Sequence, residues 1–278
     1  MLLLPGLGMV SQHWLPFLGP YRREFCFYMP DFRGAGPSGK LSFNQSDIFQ
    51  NNMEDVQDVV RHFGLKDFLL AGYSLGGSTA LHWLREEGFA GVRRYLHIDQ
   101  TVCIPNGEGW SYGLFGQHQP ALFDGMRQLS AYLDAHGHYA GLMEFPLALR
   151  REFMGILSSM YQKLGAGWLL PHFFALCVHW PRLISVMFPN PCMANAKAYL
   201  SSFLNAHDYR PCLKRCETPI TFMVGMQSLL YDPRGQVEIA RSVPRGRVVP
   251  FEKSGHLLAI TEPWKFRREL GRFLHDRD

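Results

Sequence analysis

The sequence predicts an α/β fold: a mostly parallel sheet of about six strands with flanking helices, interrupted by one inserted helical segment. Three observations predict it. Short apolar runs alternate with helix-length amphipathic stretches over the first hundred or so residues. From about Cys103 to Arg215 that alternation stops and helical patterns alone remain. It resumes at Ile220, after Pro219. Strand–helix–strand units of this length require right-handed crossovers and parallel strands.

In order, Leu2–Leu4 reads as a buried strand entering the Pro5-Gly6-Leu7-Gly8 loop, and Phe25–Met29 as a second strand running into a turn-rich stretch, 31–38. Gln45–Phe63 carries Met53, Val56, Val59, Val60 and Phe63 at helical spacing. Asp67–Ala71 is a third strand, Ser78–Glu87 a helix and Arg94–Ile98 a fourth strand ending at Asp99. Helices are expected at 121–136, 145–164, 168–185 and 194–206. Strands follow at Ile220–Val224 and Arg247–Phe251, with a helix at Gln236–Arg241 between them and a closing amphipathic helix at Glu262–His275. The division is a core from residues 1–103 and 216–278, with 104–215 as a helical cap.

Composition narrows the class. Apolar content of 47% and charge of 19% describe a globular chain, and 278 residues can bury a core without disulfides. The net charge of +4 is scattered in short doublets, with no basic stripe for nucleic acid. Six cysteines form no regular framework; Cys212 and Cys216 lack the second pair that a metal site needs, and reduced thiols in a cytoplasmic protein are expected. His136 and His138 flank Gly137 with no further ligand in view and read as a solvated turn. The start, Met1–Pro5, has no basic region and does not read as a good signal peptide. The apolar run 168–189 contains Pro171, His172, His179, Pro181 and Arg182, which a stable membrane span would have to bury.

The chemistry concentrates at Gly72-Tyr73-Ser74-Leu75-Gly76. A nucleophilic serine must stand on a sharp strand-to-helix turn, with small residues two places before and after it to relieve crowding; here an apolar strand precedes and a helix follows. A serine hydroxyl needs a base, and His256 has the position for it, after the last strand and before the closing helix. A carboxylate should orient that imidazole. Asp99, at the end of the strand after the nucleophile helix, is the choice, with Asp232 the alternative. Ser228, not an acid, stands three residues after Gly225, and Asp232 precedes Pro233, as a turn-forming Asp would. The oxyanion donors expected are the backbone N–H groups of Leu7 and Leu75. His13, Trp14, Tyr73, Trp110, Tyr112, Phe173 and Trp180 are candidates for the substrate pocket; Phe115, Phe145, Met154, Trp168 and Phe174 extend the apolar wall. Gly34-Ala35-Gly36-Pro37-Ser38-Gly39 spells a dinucleotide fingerprint, but Pro37 interrupts it and no helix opens on it; Asp31 and Arg33 are expected to make local hydrogen bonds there.

Together the Pro5-Gly6 loop, Asp31-x-Arg33-Gly34-x-Gly36-x-Ser38, the Gly72-x-Ser74-x-Gly76 turn and Ser254-Gly255-His256 resemble the α/β-hydrolase superfamily over nearly the whole chain outside the cap. Pro5-Gly6 replaces the family's usual His-Gly. The chain opens at what corresponds to the third family strand, which implies that the first hairpin is absent or that the true start lies upstream. An acid placed like Asp99 is similar to that of haloalkane dehalogenases, whose aspartate nucleophile Ser74 rules out, and of cofactor-free dioxygenases that use a His–Asp pair as base.

The leading expectation is a serine hydrolase cleaving an ester or thioester of a small hydrophobic or aromatic substrate, with no cofactor, metal or nucleic-acid partner. The alternatives are a cofactor-free dioxygenase or carbon–carbon bond hydrolase using the His–Asp base, and a non-catalytic receptor. Substrate identity and oligomeric state are not readable.

Overall fold

Five parallel strands pair in the order in which they occur along the chain: β1 (Leu2–Leu4), β2 (Phe68–Tyr73), β3 (Val92–Ile98), β4 (Ile220–Gly225) and β5 (Gly246–Phe251). The computed structural model describes residues 1–163, 169–186 and 193–277; Trp168 and residue 164, the expected end of one helix, lie outside them. Eight helices of ten or more residues accompany the strands among the described residues: α1 (Ile48–His62), α2 (Leu75–Glu87), α3 (Gln119–Ala135), α4 (Leu147–Lys163), α5 (Leu169–His179), α6 (Met193–Leu204), α7 (Pro233–Ser242) and α8 (Pro263–Leu274).

Side chains alternate across a strand with period two, so each strand feeds two cores. Leu2, Leu4, Phe68, Leu70, Tyr95, Ile220, Phe222 and Val224 pack on one face with Phe49, Met53 and Val56 of α1, Leu81 and Leu84 of α2 and Ile239 of α7. Leu3, Leu69, Ala71, Tyr73, Leu96, Ile98, Met223 and Phe251 pack on the other with Trp14, Leu18 and the Phe266, Leu270 and Phe273 row of α8. Helices α3–α6 enclose a third apolar cluster that includes Leu129, Leu133, Phe145, Phe153, Leu157 and Phe174.

Three sequence expectations need correction. Among the described residues the sheet has five strands, not about six. Phe25–Met29 is not a strand: Tyr28 alone bridges to Leu2, through Leu3 N–H to Tyr28 O and Tyr28 N–H to Met1 O, each 2.9 Å. The reason lies at both ends of the pairing. Pro5 and Pro30 have no N–H to extend the ladder, and β1 itself is three residues long. The nucleophile helix also starts at Leu75, three residues before the predicted Ser78.

The register sets the site. Leu4 lies opposite Gly72, Tyr73 opposite Ile98, Ile98 opposite Met223 and Gly225 opposite Phe251. The carboxyl ends of β2, β3, β4 and β5 therefore share one edge, and the segments leaving them carry Ser74, Asp99, Ser228 and His256. In such sheets ligands bind outside this edge.

Below it, His97 is wholly buried in β3. Its Nδ1 accepts from the Tyr95 hydroxyl and its Nε2–H donates to the Gln100 carbonyl, both at 2.9 Å. Burial depresses its pKa to about 4, against smaller opposing effects of the Gln100 hydrogen bond and the Asp99 charge. The unfolded chain, with an ordinary histidine near pH 6.5, binds the extra proton first as pH falls. His97 therefore stabilises the fold fully above about pH 6.5, and that contribution is lost between about pH 6.5 and pH 4, on the order of 3 kcal/mol at the limit. Denaturant titrations across this window should show the decline, and His97→Gln should make it shallower.

Candidate active site

The sharp turn at Ser74 is forced by close backbone approach. Ser74 has φ 51° and ψ −115°, a conformation strained for any residue with a side chain. A Cβ on Gly72 would lie 2.5 Å from Gly76 O, and one on Gly76 would lie 2.4 Å from Leu4 O. Only glycine permits either contact. The turn is fixed by Ser74 N–H donating to Ile98 O (3.0 Å) and by Ser74 O accepting from Gly77 N–H (2.7 Å) and Ser78 N–H (3.1 Å).

The raised hydroxyl meets the predicted base. Ser74 Oγ lies 3.0 Å from His256 Nε2, and His256 Nδ1 lies 2.8 Å from Asp99 Oδ2. An ionised carboxylate only accepts, so it fixes the imidazole proton on Nδ1 and leaves the Nε2 lone pair facing the serine. Asp99 is wholly buried and also has a positive φ, 38°. Its Oδ1 accepts from Gly225 N–H (2.9 Å) and Gln236 Nε2 (3.1 Å), and its Oδ2 from Ser228 Oγ (3.1 Å). With His256, four donors compensate the buried charge.

Of the two candidate acids, the structure brings Asp99 to the imidazole and leaves Asp232 elsewhere. Asp232 is the N-cap of α7: its Oδ1 accepts from Arg234 N–H (2.9 Å), and its carboxylate pairs with the Arg234 guanidinium (2.6 Å). Ser228, in the position often held by an acid, supports Asp99 instead.

The Pro5-Gly6 loop lies against the turn: a Cβ on Gly6 would be 3.4 Å from Ser74 Cβ and 3.0 Å from the Tyr73 ring. Leu7 follows directly, its side chain half exposed. Leu75 is the first residue of α2, so its N–H has no intrahelical acceptor.

The pocket candidates divide. Tyr73 is buried under the imidazole, its hydroxyl donating to His256 O (2.5 Å), and burial together with the Asp99 charge raises its pKa. Trp14 is buried edge-on to Tyr73. His13 is exposed, and its Nδ1 accepts from Val10 N–H (3.3 Å). Trp110 and Tyr112 pack by Gly235 of α7, with Arg210 over the Trp110 ring and Arg234 over Tyr112. Phe173 packs against the cluster of the α3–α6 segment, and Trp180 is 60% exposed. Asp31 and Arg33 bond further away than expected, to Ser11 (N–H to Oδ1, 2.5 Å) and bidentately to Asp55 (2.7 and 2.8 Å).

Sequence reasoning missed Tyr231, Gln100 and Gln236. The buried Tyr231 ring stands edge-on to the imidazole, with centroids 5.2 Å apart. Burial, with the Asp99 charge, pushes its pKa up to about 12. No pattern marks Tyr231 or Gln236. Gln100 has the single signal of following Asp99.

Among the described residues, one group has three potential metal ligands, Asp47, His82 and His207. Arg85 donates to Nδ1 of His82 (3.1 Å) and of His207 (3.2 Å), which puts the imidazole protons on Nε2. Those face Gln50 Oε1 (2.9 Å) and Asp47 Oδ2 (3.0 Å). Burial and Arg85 push His82 down to about 4. A guanidinium already takes the lone pairs that a cation would need, so this network serves as a tie between α1, α2 and the segment after α6.

The fold has counterparts among known proteins. The chain matches the alpha/beta hydrolase family model over residues 1–266, and it belongs to this family. A protein of Agrobacterium fabrum that carries the name carbamate hydrolase RutD is 24% identical over 277 residues, covering 100% of this chain and 93% of its own. Similar solved structures include an esterase from Thermogutta terrifontis (TM-score 0.68, 17% identity, 99% of this chain and 89% of that one). Another is an esterase from Exiguobacterium antarcticum (TM-score 0.67, 18%, 99% and 91%). A third is an enol-lactonase from Burkholderia xenovorans (TM-score 0.66, 17%, 99% and 90%). No helix among the described residues is long and apolar enough to cross a membrane.

The contrast between the two acids is testable. Asp99→Asn should lower turnover by about 10⁴-fold, the typical cost of losing the orienting carboxylate. Asp232→Asn should stay within about threefold and cost at most a helix cap, roughly 1 kcal/mol. Steady-state kinetics with thermal melts on both variants separate the effects.

Proposed function

We propose that the protein is a serine hydrolase that cleaves an ester or thioester of a hydrophobic acyl or aromatic substrate through Ser74, His256 and Asp99. The observation that carries this reading is the continuous line from Ser74 Oγ to His256 Nε2 (3.0 Å) and from Nδ1 to Asp99 (2.8 Å). Ser74 Oγ attacks the carbonyl carbon while His256 Nε2 takes its proton. Asp99 stabilises the imidazolium, and the Leu7 and Leu75 amides receive the oxyanion. The carbon–heteroatom bond then breaks, and His256 returns the proton to the leaving group. Water, deprotonated by His256, releases the acyl group from Ser74.

The relatives' names support a carbonyl substrate: carbamates, esters and enol-lactones all present a carbonyl bonded to a heteroatom. In this reading residues 104–215 act as a cap whose aromatic side chains shape the acyl pocket. Ser74 is 7% exposed, so substrate entry needs this segment to give way.

A fluorophosphonate probe should label the wild type and not Ser74→Ala. Hydrolysis of p-nitrophenyl esters should fall by roughly 10³-fold or more in Ser74→Ala and in His256→Ala. The position of Asp99 after β3 favours one second reading, a His–Asp base enzyme acting as a cofactor-free dioxygenase or carbon–carbon bond hydrolase. That reading predicts that Ser74→Ala keeps much of the activity while His256→Ala abolishes it.

A further inference from the structure

The amino ends of the strands, opposite the edge that carries Ser74, gather arginines. Arg93 and Arg94 open β3, Arg245 immediately precedes β5, and Arg247 is its second residue. With Pro219, Ile220 and Thr221 at the start of β4 and Asp276 beyond α8, they line one cleft of about 400 Å³. Small-molecule sites run from roughly 300 to 1,000 Å³. The sheet fixes how these residues meet. Ile220 N–H donates to Arg245 O (3.0 Å) and Tyr95 N–H to Pro219 O (2.9 Å), while Thr221 pairs with Leu96 on one side and Arg247 on the other. Arg94 lies two residues before Leu96, which faces α8, so Arg94, Thr221 and Arg247 share that face.

Positive charge exceeds negative there. Arg94 is buried, gives one Nη to Phe273 O (2.7 Å) and the other to the Asp276 carboxylate, and its Nε has no partner among the described residues. Arg247 comes within 3.9 Å of Glu269. That buried carboxylate also serves Arg268 (2.9 Å) and Arg272 (3.5 Å), so one negative charge is shared among three guanidinium groups. Arg93 meets Asp67 at 3.5 Å, but both side chains are at least half exposed and water screens the pair. Arg245 is exposed and pairs with no carboxylate among the described residues. Asp276 marks what the cleft attracts. It supplies the one carboxylate among the lining residues, its side chain is 80% exposed, and it reaches Arg94 from a left-handed backbone with φ 55°, which costs energy for a residue with a side chain.

We propose that this cleft binds a small soluble phosphate compound with at least two phosphoryl groups, which displaces the Asp276 carboxylate from Arg94 and bridges arginines of β3 and β5. One guanidinium fork satisfies a planar carboxylate. A phosphoryl group offers tetrahedral oxygens and a larger charge, so it accepts from arginines on separate strands. β3 and β5 flank β4 and lie roughly 10 Å apart at ordinary strand spacing, a gap that two linked phosphoryl groups span better than one. No lining residue is aromatic, so the cleft offers no ring on which a base could stack, and recognition falls on the phosphoryl groups. The site lies at the far end of the strands from Ser74, and the proposal stands whether or not the serine-hydrolase reading holds.

The test is calorimetric titration of the full chain with pyrophosphate, alongside orthophosphate and, at equal ionic strength, sodium sulfate and sodium chloride. Pyrophosphate should bind once per chain, about tenfold or more tighter than orthophosphate, and at saturation should raise the melting temperature by roughly 5 °C. The double variant Arg93→Gln, Arg245→Gln should weaken binding by about tenfold or more, while its own melting temperature stays within about 2 °C of wild type. Asp276→Asn, which removes the competing carboxylate, should tighten binding by about two- to fivefold. Ser74→Ala should bind as wild type does. Stabilisation no greater than that by sulfate, undiminished affinity in the double variant, or no gain in Asp276→Asn would overturn the proposal. Retention on phosphatidic-acid vesicles that pyrophosphate does not displace would overturn the assignment to a soluble ligand.

Discussion

The close approach of three backbone segments at the nucleophile turn is the constraint on which the site depends. The start of α2 passes so near to β1 and to the end of β2 that Gly76 and Gly72 have no room for a side chain. That approach holds Ser74 in its strained conformation, lifts its hydroxyl above the carboxyl edge of the sheet, and opens α2 with an unsatisfied Leu75 N–H beside it. The strain persists because the surrounding sheet over-determines it: Leu4 pairs with Gly72, and Ser74 N–H is held by the end of β3. Rigidity of this kind lets the serine meet its base without reorganisation.

The second half of the site is organised around one buried carboxylate. Asp99 gathers donors from the ends of β4, α7 and the loop after β5, so that the alignment of His256 depends on elements distant in sequence. Below it, His97 locks the backbone at Gln100, whose side-chain oxygen accepts from Thr101 N–H. The acid, its donors and the imidazole form one connected polar network inside an apolar core. Such a network orients its members when all are satisfied.

Much of this was legible in the sequence where the signal is local. The glycines around Ser74 and the Ser254-Gly255-His256 turn announce themselves because a tight turn restricts residue type within a few positions. The strand–helix alternation also revealed the parallel sheet. Phe25–Met29 misled because apolar content alone does not reveal the prolines' effect on pairing. Asp99 and Asp232 could not be separated by pattern: both follow a strand, and only the Arg234 contact and the N-cap at α7 show that Asp232 is already engaged. Tyr231 and Gln236 were illegible, since their contacts with His256 and Asp99 arise only when distant elements converge. Trp110 and Tyr112 looked like pocket aromatics, but aromatic content does not distinguish a pocket from packing against α7.

The most direct test of the central claim is covalent. A slowly deacylating ester is mixed with the enzyme and quenched in acid, and the protein is analysed by intact mass followed by peptide mapping. The account predicts a mass increase equal to the acyl group, located on Ser74 and absent from Ser74→Ala. Turnover of the ester with no acylated Ser74, or with the adduct on another residue, would contradict it.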